Sequence, residues 1–311
     1  MPDAVTIAEA RKVTKDEARR GVMEIIEQNA PIVALLPWET VSGMSYSYLR
    51  EAEIPSATSR NVNSGYTPEV GALEKIEIPL KIIGGEFDVD QFLIDQGGDL
   101  DDIFARQMAL RHKSNAFHME ELIFEGNSLT TAANIDGLRT LIGGNQLIAF
   151  STVGAALTVA SIETLLDAVP GAEYLWMNRT LRTDLLQIIS DSQAASGRPQ
   201  VHYENLGGIG KPIEMYNNAK IMVVERLDDG STILDFNEDP GDAGSDTASI
   251  YAARIGKDAL FGIQGKRGPT DSRELGEDWD EPRRKGRSEW YSNIVIAHPR
   301  SVGRSFGFLD V

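Results

Sequence analysis

DDIFARQMALRHKSNAFHMEELIFEGN, residues 101–127, is the stretch from which the rest of the chain is best read. Asp99, Asp101 and Asp102 follow Gly97-Gly98, acids placed where the helix macrodipole favours negative charge. Leu100, Ile103, Phe104, Phe117, Leu122 and Ile123 supply apolar positions, and Gly126 offers the residue that most readily closes a helix. The pattern predicts one helix running to about Phe124, roughly twice the mean length in globular proteins. Its middle, Arg111-His112-Lys113-Ser114-Asn115, is strongly polar. A long helix that is polar in mid-span suits a surface spine better than a buried core element.

On the N-terminal side, Ile76, Ile78, Leu80 and Ile82 alternate with Glu77, Pro79 and Lys81. That is a half-buried strand, and its proline points to an edge position. Before it, residues 41–74 have few apolar anchors: Tyr46 and Tyr48 alternate with Ser45 and Ser47, then come Pro55, a polar run over 56–64, Gly65, Pro68 and Gly71. Thirty such residues are uncommon inside a compact domain, so the stretch is either disordered or ordered by a neighbouring molecule. A polar excursion ending in an edge strand is the pattern of an intersubunit hairpin. Earlier still, residues 5–28 read as a helix, with Thr14 and Glu17 as a capping box ahead of Val22, Ile25 and Ile26. Pro31 and Pro37 bracket the apolar patch Ile32, Val33, Leu35 and Leu36, which looks like part of an arm that docks on something else.

On the C-terminal side the texture is mixed α/β. A helix is expected from Ser161 to Val169, a buried strand at Tyr174, Leu175, Trp176 and Met177, and a second helix capped by Asn178. That helix carries Leu181, Leu185, Ile188 and Ile189 at helical spacing. Strands are expected at 211–217, 220–227, 249–255 and 259–265, with a Gly/Asp-rich loop at 237–246 and a polar loop at 266–288. A last strand, 288–297, contains Trp290, Tyr291, Ile294, Val295 and Ile296.

The 311 residues are 41% hydrophobic, 25% charged and 7% aromatic, which supports a real core and argues against wholesale disorder. Cysteine is absent, so disulfides, thiolate catalysis and cysteine-ligated zinc are excluded. With no signal-peptide pattern and no apolar run of membrane-spanning length, the chain reads as soluble and cytosolic, with no membrane partner. A formal net charge of −17 opposes a dedicated nucleic-acid-binding function, because gripping phosphates requires net positive surface. It is compatible with a wall that contains nucleic acid without adhering to it.

Motifs that would carry chemistry dissolve on inspection. The four histidines are His112, His118, His202 and His298; His118 and Glu121 sit one helical turn apart, but no second histidine has metal-ligand spacing. Gly207-Gly208-Ile209-Gly210-Lys211 resembles part of a phosphate loop, yet Pro212 replaces the magnesium-binding hydroxyl. Asp235, Asn237, Asp239 and Asp246 fall at calcium-loop spacing, but Pro240 occupies the position that needs glycine. No strained GxSxG nucleophile turn occurs. Arg283, Arg284, Lys285 and Arg287 follow Glu274, Glu277, Asp278, Asp280 and Glu281, a juxtaposition read as self-complementary subunit pairing. No catalytic residue, cofactor-binding residue or metal ligand is assigned, and the chain is expected not to be an enzyme and to need no cofactor.

The ordered set of arm, extended hairpin, spine helix, inserted α/β region and return strand resembles the tailed-bacteriophage major capsid protein family of HK-ninety-seven type. Residues 101–127 resemble its spine helix with the closing Gly-Asn turn. Asn134-Ile135-Asp136-Gly137-Leu138 resembles the segment leading into the axial domain, 174–189 the strand and helix of that domain, and 273–291 the closing peripheral strands. The resemblance implies an α+β fold: an N-terminal arm at 1–40, an E-loop at 41–74, a peripheral domain at 75–127 and 257–311, and an axial domain at 128–256. It further implies hexamers and pentamers closed into an icosahedral shell around double-stranded DNA, bound without sequence specificity. The expected place is the virion capsid, assembled in the host bacterial cytoplasm with a portal and, in some cases, a decoration protein. Because Met1 is followed almost at once by the arm, a separate scaffold protein is expected. Because 41–74 contains no lysine, no lysine–asparagine cross-link between subunits is expected. Two alternatives stay open: an encapsulin-type compartment shell, and a soluble acidic enzyme with an unrecognised site.

Overall fold

The structure, a computed structural model, describes residues 31–92, 100–196, 201–204, 213–225, 232–241, 246–277 and 282–310. The helix expected over 5–28, the turn 207–211 and the acids Asp99, Asp278, Asp280 and Glu281 lie outside the described residues. In chain order the elements are α1 (Pro31–Leu35), β1 (Trp38–Val41), β2 (Ser45–Glu53), β3 (Ala72–Pro79), β4 (Lys81–Asp90), α2 (Leu100–Glu125) and α3 (Leu138–Leu141). Then follow β5 (Leu147–Ala149), α4 (Val159–Ala168), β6 (Tyr174–Met177), α5 (Arg179–Ser196), β7 (Val201–Glu204), β8 (Ile213–Tyr216) and β9 (Ala219–Val223). β10 (Ala248–Ala253), β11 (Leu260–Gly265), β12 (Ser272–Glu277), β13 (Arg283–Ile296) and β14 (Val302–Phe308) complete the chain.

The α+β architecture is built on two sheets and a projecting hairpin. β13 is the axis of a five-stranded sheet: β4 lies along one edge, while β12 and β11 share the other, and β1 adds in parallel outside β11. The second sheet has seven strands in the order β5-β14-β10-β6-β9-β8-β7. β2 and β3 pair only with each other.

The period-2 alternation of β6 and β10 shows why the seven-stranded sheet is covered on both faces. Leu175, Met177, Ile250 and Ala252 face α4 and α5, meeting Ile162, Leu165, Leu181, Leu185 and Ile189. Their neighbours Trp176, Tyr251 and Ala253 face the other way into a core shared with α1, α2 and the five-stranded sheet. Each fully buried leucine or isoleucine contributes about 1.5–3 kcal/mol relative to exposure. The Asn178 side chain accepts a 2.8 Å bond from the Leu181 N–H, the cap its sequence promised. α4 begins two residues earlier than expected: Thr158 is its cap, and Ser161 is the reciprocal partner inside the first turn.

Four further expectations are corrected. Ile32, Val33 and Leu36 are buried in the chain's own core rather than offered to another body. Pro79 ends β3 instead of sitting within one strand, and the inward face changes parity there: Ile76 and Ile78 face inward before it, Ile83 and Val89 after it, and Ile82 is left 65% exposed. The polar stretch 266–288 is largely the antiparallel pair β12–β13; Arg284 is met by Glu274 on β12, Arg287 by Glu86 on β4 and Arg273 by Asp271. Finally, the mid-span of α2 is not a solvated face. His112 and Asn115 are buried, because Ser288 on β13 bonds both, at 3.1 Å each.

The C-terminal strand β14 was not anticipated, and it inserts between β5 and β10 of the seven-stranded sheet although the segment 257–311 was expected to be peripheral. Gly303 and Gly307, residues that give no strand signal, stand second from each end of its seven residues.

Candidate assembly interface

The most unusual surface is the β2–β3 hairpin. A two-stranded ribbon is marginal alone, and this one is fixed at its root. Tyr46, Tyr48, Ile78 and Leu80 pack on Phe261, Ile263 and Val295, and the Tyr48 hydroxyl donates to the Ile296 carbonyl at 3.0 Å. Asn293 Nδ2 holds the Pro79 carbonyl at 2.7 Å where the chain turns from β3 into the sheet. The stem carries an Arg50–Glu74 ion pair of 2.9 Å.

Beyond the stem the chain buries nothing: residues 54–71 are exposed throughout. They are tied only to one another. Ser56 donates to Glu69 through its backbone N–H (2.8 Å) and its hydroxyl (2.6 Å), which holds the Glu69 carboxyl below its usual range. Arg60 donates to the Ser64 carbonyl at 3.0 Å and lies 5.3 Å from the Tyr66 ring. Among the described residues, seven of the fifteen exposed large hydrophobic side chains fall between Met44 and Leu73, including Val62 (90%) and Val70 (89%). Apolar surface concentrated on a projecting ribbon marks an interaction site. The paired stem extends to Pro79, so the hairpin contains Lys75, opposite Leu49 on β2; the lysine-free argument applies to the tip, not the whole hairpin.

The charge cluster read from sequence as a subunit-pairing surface is satisfied within the chain. Arg283 meets Asp88 at 2.8 Å, Arg284 bonds Glu274, and Arg287 bonds Glu86. β4, β13 and β12 bring these residues together from segments far apart in sequence, which is why local charge order suggested a partner.

The remaining chemical candidates do not assemble into a site. His118 lies 3.5 Å from Glu121 on an exposed helix face, and His298 accepts from the Arg300 N–H; His202 sits on β7. Asp235 and Asp239 accept from the backbone of Phe236 and Gly241, while Glu238 between them turns inward. Among the described residues no group of three metal-ligating side chains converges. Sequence reasoning missed the Glu238–Arg304–Ser249 network: Arg304 donates to Glu238 at 2.7 Å and to Ser249 at 3.0 Å, all three buried. No helix among the described residues is long and apolar enough to cross a membrane.

A spine helix packed beneath a sheet organised on one long strand, a second sheet carrying its own helices, and a rooted projecting hairpin define a class: the tailed-bacteriophage major capsid fold of HK-ninety-seven type. The particular likenesses are chain-long. The SrpI encapsulin of Synechococcus elongatus PCC 7942, in its holo complex, superposes with a TM-score of 0.65 at 14% identity, over 89% of this chain and 86% of its own. The capsid of cyanophage A-1(L) gives 0.62 at 12% identity over 91% and 93%, and the capsid of a native GTA particle 0.61 at 14% over 90% of each. At these identities the likeness is one of fold. No family model and no curated protein matches the sequence.

Proposed function

We propose that this chain is a major capsid protein, the repeating subunit of an icosahedral shell of hexamers and pentamers enclosing double-stranded DNA. The observation that carries the reading is the β2–β3 hairpin: its root is packed on the subunit, its tip buries nothing of its own, and apolar side chains crowd its surface. A free ribbon of that kind is stabilised by lying on a second copy, and the chain-long likeness to phage and GTA capsids supports the same assembly. In this reading residues 41–74 are the E-loop, 1–40 the arm, 75–127 and 257–311 the peripheral domain with β14 crossing back, and 128–256 the axial domain. A net charge of −17 suits a wall that does not adhere to packaged DNA. Scaffold, portal and decoration proteins are proposed partners, with assembly in a bacterial cytoplasm, and the chain is proposed to have no catalytic role.

A second reading, an encapsulin-type compartment, is favoured by the 0.65 superposition on the SrpI encapsulin. Sedimentation and electron microscopy of the purified chain test the shell itself, and nuclease-protected DNA against co-purifying protein separates the two contents. Closed shells, rings or tubes are expected. A small compact species under conditions that assemble other shells would sink both readings. The lysine-free tip predicts single bands on a denaturing gel of purified particles, with no covalent ladder.

A further inference from the structure

Glu120 lies on α2 with 1% of its surface exposed; no side chain bonds its carboxyl oxygens, and its one polar neighbour is the Ile32 N–H of α1, placed short of a well-formed hydrogen bond. Its position is the seam where α1 docks on α2, among Ile32, Val33 and Leu36, which are 1–3% exposed. α1 is only five residues long, and no titratable group occurs in Pro31–Leu35. Its other ties are few: the Trp38 indole donates to the Val33 carbonyl at 2.8 Å, and Leu36 N–H to the Ile32 carbonyl at 3.1 Å. Among the described groups no neighbouring charge acts on Glu120. Burial pushes it up to about 8, and only the Ile32 N–H works against that. The titratable residues nearest it in sequence on α2, His118, Glu121 and Glu125, and Glu39 on β1, supply no charge that acts on it.

We propose that Glu120 is a protonation latch for the N-terminal arm: the neutral carboxyl permits α1 to close over α2, and its ionisation releases α1 while the rest of the core stays folded. A buried carboxylate without a partner is the costly state, and the least expensive way to hydrate it is to lift the short element that covers it. Met119, Ile123 and Phe124, on the same helix, are fixed by both sheets and have no such exit. The sign follows from linkage. The closed state binds the proton up to about pH 8, whereas an open, hydrated Glu120 titrates in the ordinary carboxylate range. Closing is therefore fully favoured at low pH, and weakens as pH rises from the ordinary carboxylate range to about 8, where it levels off.

Hydrogen exchange, corrected for intrinsic rates, tests this on the full chain. One proton released on opening lowers the protection of amides in 32–36 by about tenfold per pH unit within that window. Glu120→Gln should give a flat profile, with core amides in 119–124 and β10 unchanged in both proteins. Parallel profiles for the two proteins would overturn the latch, as would an equal slope across the whole core. Should Glu120→Gln fail to fold, carbon-13 titration of the Glu120 carboxyl in the unsubstituted protein decides: a midpoint in the ordinary carboxylate range overturns the proposal, and one near 8 supports it.

Discussion

Arg304 is nearly buried beside Glu238, and Ser249 closes the network by donating to that carboxylate while accepting from Arg304. Among the described residues, removing Arg304 leaves the buried Glu238 with only the more exposed Arg139, 3.8 Å away, as counter-charge. Arg304→Met should cost about 3–5 kcal/mol, while Arg304→Met with Glu238→Gln should recover part of that loss. Denaturant melts of the two variants check this, and equal losses would contradict it. His112 is a second buried polar residue with a consequence. Burial lowers its pKa, so the folded state holds it neutral against Ser288. Below about pH 6.5 the unfolded chain binds a proton that the folded one refuses, so stability falls as pH drops through that value. His112→Gln should flatten this acid limb of the melting profile; an unchanged limb would place its origin elsewhere. Neither pair was legible in sequence, because Ser288 lies 176 residues from His112 and Glu238 lies 66 from Arg304. A polar residue inside a predicted helix looks solvated until its distant partner is known.

Among elements, those with strong local signals were read well and those built on long-range pairing were not. α2 runs from Leu100 to Glu125 and ends at Gly126; its apolar residues mark no single face, and its legible signals were the acids at its start and the glycine after it. β6 and α5 followed from Tyr174–Met177 and the Asn178 cap. By contrast, the sequence of β12 and the first half of β13 reads as a polar loop. The basic run of β13 is met by Asp88 and Glu86 on β4 and Glu274 on β12, so the usual apolar alternation of a half-buried strand is missing. β14 was hidden for a related reason: its two glycines and its fully buried face give neither a period of 2 nor β-branched enrichment. The end of α2 also shows what tertiary context adds. The Gly137 N–H donates to the Gly126 carbonyl at 2.8 Å, and a Cβ on Gly137 would stand 2.6 Å from the Gly126 nitrogen. The two backbones touch, so Gly137→Ala should overpack this junction and cost about 1–3 kcal/mol. A thermal melt measures it, and a melting temperature equal to that of the unsubstituted protein would mean that the junction yields freely.

At the scale of the molecule, the proposed assembly is separable from stability, because the hairpin's root belongs to the chain's own core and its tip does not. Tyr46, Tyr48, Ile78 and Leu80 tie β2 and β3 to the five-stranded sheet, whereas residues 54–71 are exposed throughout, with Ser56 bonded to Glu69 and Arg60 to Ser64. Replacing 56–69 with a two-residue Asn-Gly turn keeps the stem pairs up to Glu53 and Ala72 and removes Val62 and Tyr66. Folding should change little, within about 0.5 kcal/mol, as for surface changes that break no buried contact. Assembly should be lost, since the tip's exposed apolar surface would be the part of one subunit that a second copy covers. Thermal melting and sedimentation of the same preparation separate the two effects. A normal melt with no particles supports the division, and particles formed at the unsubstituted yield would show that the tip is dispensable and that other surfaces hold neighbouring subunits together.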